Sequence, residues 1–146
     1  MKKLLLISTL LFTATLLKAQ HVADMIKSPV WDIIGTLKIN KVNADKQTAV
    51  FSPQLKAMEN KQVTLQGYMI PIEEGIKHKR FLLSTLPVNQ CYYCGKNGVP
   101  IMIEIEMAAP IDFSYKPVEI SGIFKFHYGN AADNVPIWLI NATLED

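Results

Sequence analysis

The 146-residue sequence predicts a mainly β protein, a small antiparallel barrel with one short helix. Three observations predict it: strict two-residue alternation of apolar side chains, glycines inside two of the alternating segments, and one clear helix-start signal.

The alternation is plainest at Ile101, Ile103, Ile105 and Met107, which face one way while Met102, Glu104 and Glu106 face the other. Val118, Ile120, Gly122, Phe124 and Phe126 repeat it, opposed by Glu119, Ser121, Lys125 and His127. Val63, Leu65, Gly67 and Met69 do so again, with Gln62, Thr64 and Gln66 outward. Such patterns belong to strands with one buried face. Residues 81–85 and 137–142 are shorter apolar runs that fit further strands, and Trp31 to Ile39 is ambiguous, with a first strand as one reading.

Ser52-Pro53 supplies a capping residue followed by proline at the first helical position. Leu55 and Met58 then fall three apart and Asn60-Lys61 ends the run, so a helix of about two turns is expected. Gly67 and Gly122 lie mid-strand, where glycine marks bulges and the bends that close a small barrel. An oligonucleotide/oligosaccharide-binding (OB) type of barrel is the expected architecture, with a β-sandwich as the alternative.

The N-terminus reads differently. Met1-Lys2-Lys3, an apolar run from Leu4 to Leu17, and Lys18-Ala19-Gln20 describe a secretory signal peptide cleaved after Ala19. The run is shorter than the roughly 20 residues that span a bilayer, and no cysteine near Ala19 would accept a lipid. The expected product is periplasmic or secreted, one β-rich domain over residues 20–146 that does not span the membrane.

Cleavage alters the charge. The whole chain carries 15 basic and 13 acidic residues, and Lys2, Lys3 and Lys18 leave with the signal, so 12 face 13. A surface for nucleic acid needs concentrated basic charge, so nucleic acid is not an expected partner. Lys77-His78-Lys79-Arg80, the densest basic run, sits opposite Glu73-Glu74 and reads as a solvated loop.

The chemical feature of the chain is Cys91-Tyr92-Tyr93-Cys94, its only two cysteines, in a loop rich in turn-forming residues. In an oxidising compartment two cysteines tend to pair, and a Cys91–Cys94 disulfide would pin the loop with little entropic gain, because the closed ring is short. A redox-active pair needs its first cysteine at a helix N-terminus, whereas Gly95, Gly98 and Pro100 oppose a helix. Thiolates separated by two residues can also share zinc or copper. A closed zinc site takes about four ligands, so the balance would come from His21, His78 or His127, or from a second chain. His127 is the candidate third ligand, although beside Lys125 on an outward face it reads first as solvent-facing. Tyr92 and Tyr93 offer rigid amphipathic rings for an interaction surface, or pack over the barrel end. Glu104 and Glu106 read as a solvated face, and Ser84, Ser114 and Ser121 stand in no nucleophile motif. A non-enzymatic binding or accessory module is therefore expected.

Phe51-Ser52-Pro53-Gln54-Leu55, Leu65-Gln66-Gly67-Tyr68-Met69-Ile70-Pro71, Phe81-Leu82-Leu83 and Cys91-Tyr92-Tyr93-Cys94-Gly95 occur in that order. The series resembles a domain-of-unknown-function family of small exported bacterial proteins, in its Bacteroidetes type. The resemblance implies a periplasmic β-rich domain. Relatives of the wider group are often encoded beside metal transporters, which implies a metal ion or a periplasmic or membrane transport protein as partner. Some relatives carry a histidine inside the cysteine motif, where this chain has Tyr92 and Tyr93.

Overall fold

The structure is a computed structural model that describes residues 25–88 and 101–145. The expected signal peptide, His21 and the Cys91–Cys94 loop with Tyr92 and Tyr93 lie outside the described residues. Among the described residues no helix is long and apolar enough to cross a membrane.

The first element among the described residues is a helix, α1 (Pro29–Ile34), where a strand was one reading of Trp31 to Ile39. Its start repeats the signature at Ser52-Pro53: the Ser28 hydroxyl accepts from the Trp31 N–H at 3.2 Å and Pro29 takes the first helical position. The strand reading survives only in the last residues, as β1 (Lys38–Lys41), which pairs with β2 (Gln47–Val50) in a two-stranded ribbon outside the barrel. Helix α2 (Pro53–Lys56) follows, capped by Ser52 as expected. It is shorter than two turns: the chain tightens into bonds such as Met58 N–H to Leu55 O, then stops at Asn60 with φ of 65°.

Five strands form a closed barrel: β3 (Gln62–Pro71), β4 (Lys77–Ser84), β5 (Met102–Asp112), β6 (Val118–Phe126) and β7 (Ile137–Leu144), in the order β3-β4-β5-β7-β6. A small five-stranded closed barrel is consistent with the OB-like expectation. Two expectations are corrected: among the described residues two short helices accompany it, and it is not wholly antiparallel. Strand β6 closes the ring on β3, so β7 enters between β6 and β5; antiparallel to β6, it must run parallel to β5.

The alternating residues do face inward. Leu65, Met69, Phe81, Leu83, Ile103, Ile105, Met107, Ile120, Phe124, Ile137 and Leu139 make one core with Trp31, Ile34, Phe51 and Leu55 from the segment before β3. Gly122 lies at the β6–β7 register shift between Ser121 and Ile123. Gly67 marks the point where β3 passes from β6 to β4 as partner, Gly67 opposite Val118 and Tyr68 opposite Ser84.

Lys77-His78-Lys79-Arg80 is corrected from solvated loop to the start of β4. His78 is buried against the edge of Phe113, and its Nε2 has no hydrogen-bond partner among the described residues. Cross-strand pairing of Lys77 with Asp112, His78 with Ile111 and Arg80 with Glu106 places the run in the β4–β5 ladder despite its basic composition.

Candidate functional site

Strand directions bring five termini to one end of the barrel: the last residues of β4 and β6 and the first of β3, β5 and β7. That end meets the N-terminal helices, with Ile26 N–H on Thr85 O and the Phe51 ring stacked 4.0 Å from Phe126. His127 follows β6 there. It stands at the end where β4 finishes and β5 begins, the two strands that residues 89–100 connect.

The outer wall near this end carries the built polar features. Cross-strand register sets Leu82 opposite Glu104, Glu104 opposite Trp138 and Trp138 opposite Lys125, a row running across four strands. The expectation of a solvated carboxylate face fails at Glu104, which is only 5% exposed. Arg80 causes this. Its Nε donates to Glu104 Oε1 at 2.9 Å, its Nη2 bonds the same oxygen, and its guanidinium carbon lies 5.1 Å from the Trp138 ring centroid. Carboxylate and indole are thus covered by one planar cation, an arrangement that suits arginine. The bond to Glu104 raises the Arg80 guanidinium above its ordinary pKa, desolvation opposes it, and Glu104, Glu106 and Glu73 add to the rise. Glu106 keeps the intermediate exposure expected of a strand's outer face.

Trp138 is fixed from within the chain. Its indole N–H donates to Val135 O at 2.7 Å, in the loop that enters β7. That loop is tied to the ribbon: the Gln47 N–H donates to Asn130 Oδ1 at 2.8 Å and Asn130 Nδ2 donates to Asp45 O at 2.8 Å. The ribbon, which buries little, thereby anchors the loop behind Trp138.

His127 is corrected from solvent-facing to half-buried. Its ring lies 6.1 Å from that of Trp138 with 23° between the planes, and its Nδ1 accepts from the Gly129 N–H at 3.4 Å. Beside it, Lys125 Nζ bonds Asn60 Oδ1. Glu106, Lys125, Phe126, His127, Trp138 and Ile140 line a groove of about 330 Å³ running along β7. Trp138 and Ile140 of β7 lie between Glu106 of β5 on one side and Lys125 and His127 of β6 and its end on the other, while the Phe126 ring turns to the opposite face of β6 and stacks on Phe51.

Of the residues singled out from sequence, the structure places His127 in this groove and Glu106 on its rim. Cys91, Tyr92, Tyr93 and Cys94 fall outside the described residues. Among those described, no three His, Cys, Asp or Glu side chains gather as a metal site. Arg80 and Lys125 entered the sequence reading only as solvated charges and Trp138 only within an apolar run, because the β4–β5–β7–β6 register is what makes them neighbours. The usable signal was weak: a tryptophan between Ile137 and Leu139 on an alternating strand must face outward.

Arg80 and Glu104 are unequal partners, since the Arg80 side chain is 52% exposed and that of Glu104 only 6%. Removing the cation strands a buried carboxylate; neutralising the carboxylate leaves a cation that water already reaches. Arg80→Ala is therefore expected to cost about 1–2 kcal/mol, discounted for exposure, and Glu104→Gln under about 1 kcal/mol. Urea unfolding of both variants gives the order, and a costlier Glu104→Gln would contradict it.

Comparison with family models, curated proteins and solved structures returned no match to this chain.

Proposed function

We propose that this chain is an exported, non-enzymatic binding or accessory module whose ligand meets the outer face formed by β5, β7 and β6. One observation carries the reading: Trp138 is held outward and oriented by Val135 O, in a groove with the Glu106 carboxylate on one side and the Lys125 ammonium and His127 imidazole on the other. Aromatic surface with a few placed polar groups is the usual make-up of a ligand site. Small OB-type barrels commonly bind on the face of their second and third strands, which here are β4 and β5. Arg80 and Glu104 lie on that face, and Glu106 joins it to the groove. The N-terminal export pattern and the family resemblance support the periplasm as the place of action.

Tryptophan emission tests this directly, because Trp31 is buried and Trp138 is half-exposed. Small extracellular ligands of several classes should include one that changes the emission of the mature protein saturably and leaves Trp138→Phe unchanged. Silence toward neutral, anionic, cationic and peptide probes would remove the reading.

Metal handling through Cys91 and Cys94 is a second reading, favoured by the position of His127 at the barrel end joined to residues 89–100. It expects zinc or cuprous ion to bind the reduced mature protein, binding to vanish in Cys91→Ser with Cys94→Ser, and His127→Ala to weaken it. Unchanged metal binding in the double variant eliminates this reading and leaves the pair as a disulfide that pins its loop.

A further inference from the structure

We infer that the outer edge of β1 receives an extended acidic peptide segment of another protein, added to the ribbon as a third strand. This surface is separate from the β5–β7–β6 face.

Elimination among the described residues selects the edge. The barrel is closed, so its strands present no free ladder. In the ribbon, β2 has β1 on one side, and on Gln47 the 130–131 loop takes up the backbone: Gln47 O accepts from the Ala131 N–H at 3.0 Å, and Gln47 N–H donates to Asn130 Oδ1. Strand β1 has β2 on one side and no ladder on the other. A strand paired on one side directs N–H and C=O outward at alternate residues, and these groups template a further strand. All four residues of β1 are exposed, Ile39 to 44%.

A pocket accompanies the same strand. Leu37 and Ile39 line about 360 Å³ together with Met102, Ala131, Val135 and Pro136, and no residue of β2 takes part. Leu37 and Ile39 are two apart and therefore share a face. A strand laid along β1 turns every second side chain toward that face. Strand addition of this kind draws affinity from the main chain and specificity from the alternate side chains. Asp133 also lines the pocket and accepts from Asn130 Nδ2 at 2.7 Å, so the residue entering there is apolar rather than acidic.

Charge names the partner. Lys38 and Lys41 bracket the strand, and neither has an ion-pair partner among the described residues. Lysines on an edge deter a second copy of this chain. Antiparallel pairing of two β1 strands over their full length would set lysine against lysine at both ends, and like charges directly opposite destabilise. The same two charges favour a strand with carboxylates opposite them. The segment that fits carries acidic residues opposite Lys38 and Lys41 and an apolar one opposite Ile39.

Selection of a random nine-residue peptide library on the mature protein tests this, with enriched peptides resynthesised and titrated by fluorescence anisotropy. Enriched peptides are expected to carry two acidic residues three positions apart with an apolar residue between them. Their affinity is expected to fall about tenfold or more in Lys38→Glu with Lys41→Glu, and in Ile39→Ser. Methylating one alternate set of peptide nitrogens should cause a similar loss. The methylated peptide leaves the protein untouched, so loss of folding cannot mimic that result. No enrichment, enrichment of basic peptides, or binding that survives methylation of either set overturns the inference. Binding that the β1 variants retain and Trp138→Phe abolishes belongs to the other face and also overturns it. Self-association of the mature protein that Ile39→Ser abolishes makes the occupant a second copy, and overturns it as well.

Discussion

Trp31→Ala is expected to lower the unfolding free energy by about 3–5 kcal/mol, read as a fall in the urea midpoint. Trp31 is 2% exposed and among the largest fully buried side chains. Its indole N–H also donates to Gln66 O at 2.8 Å, fastening α1 to β3. A six-residue helix cannot hold itself in water, so α1 persists only through such tertiary anchors. Removing this one should release Ile34 and weaken the bond from Ile26 N–H to Thr85 O as well. Against a typical total of about 5–15 kcal/mol, the loss is large enough to populate unfolded chains near body temperature. Trp31→Phe separates the contributions: most of the apolar fill stays and the hydrogen bond goes, for about 1 kcal/mol. A midpoint unmoved by Trp31→Ala would mean that α1 is not part of the folding unit.

The same residue shows where sequence reading failed. Trp31, Ile33 and Ile34 alternate poorly and cluster apolar bulk in a short run, a pattern that strand and buried helix share. The deciding mark was Ser28-Pro29, the same pair that located α2 at Ser52-Pro53. In the barrel the reading held, because each strand has one face in the core and alternation reports that face directly. At Glu104 alternation gave the direction correctly and the environment wrongly. An outward side chain on a strand is solvated only if its cross-strand neighbours are short, and here they include Arg80 and Trp138. Those neighbours come from β4 and β7, separated from Glu104 by 24 and 34 positions, the first brought beside it by antiparallel and the second by parallel pairing with β5. No local pattern encodes that register. The basic run at Lys77 misled for a related reason: composition described the outward side chains and passed over the buried His78.

Gly67→Ala is expected to destabilise by about 2–3 kcal/mol, although propensity argues the opposite sign. In a strand interior alanine should gain about 0.5–1 kcal/mol over glycine, through the smaller entropy of the unfolded chain. Packing decides against that gain. A Cβ at Gly67 would stand 2.5 Å from Leu83 Cγ and 3.0 Å from Ser84 O. The first contact is with a branch point held in the core, the second with a backbone oxygen at the start of the β3–β4 ladder. Neither can retreat cheaply: moving Leu83 disturbs a fully buried side chain, and moving Ser84 O disturbs the pairing of Tyr68 with Ser84. A double-mutant cycle isolates the clash. Leu83→Ala alone should cost about 2–5 kcal/mol by leaving a cavity, and the pair should cost less than the sum by about 1–2 kcal/mol, since the new methyl enters the vacated space. Strict additivity would show that the clash is absorbed by the backbone. In that case the glycine is required for the coil of β3 as it passes from β6 to β4, and the double variant would recover nothing.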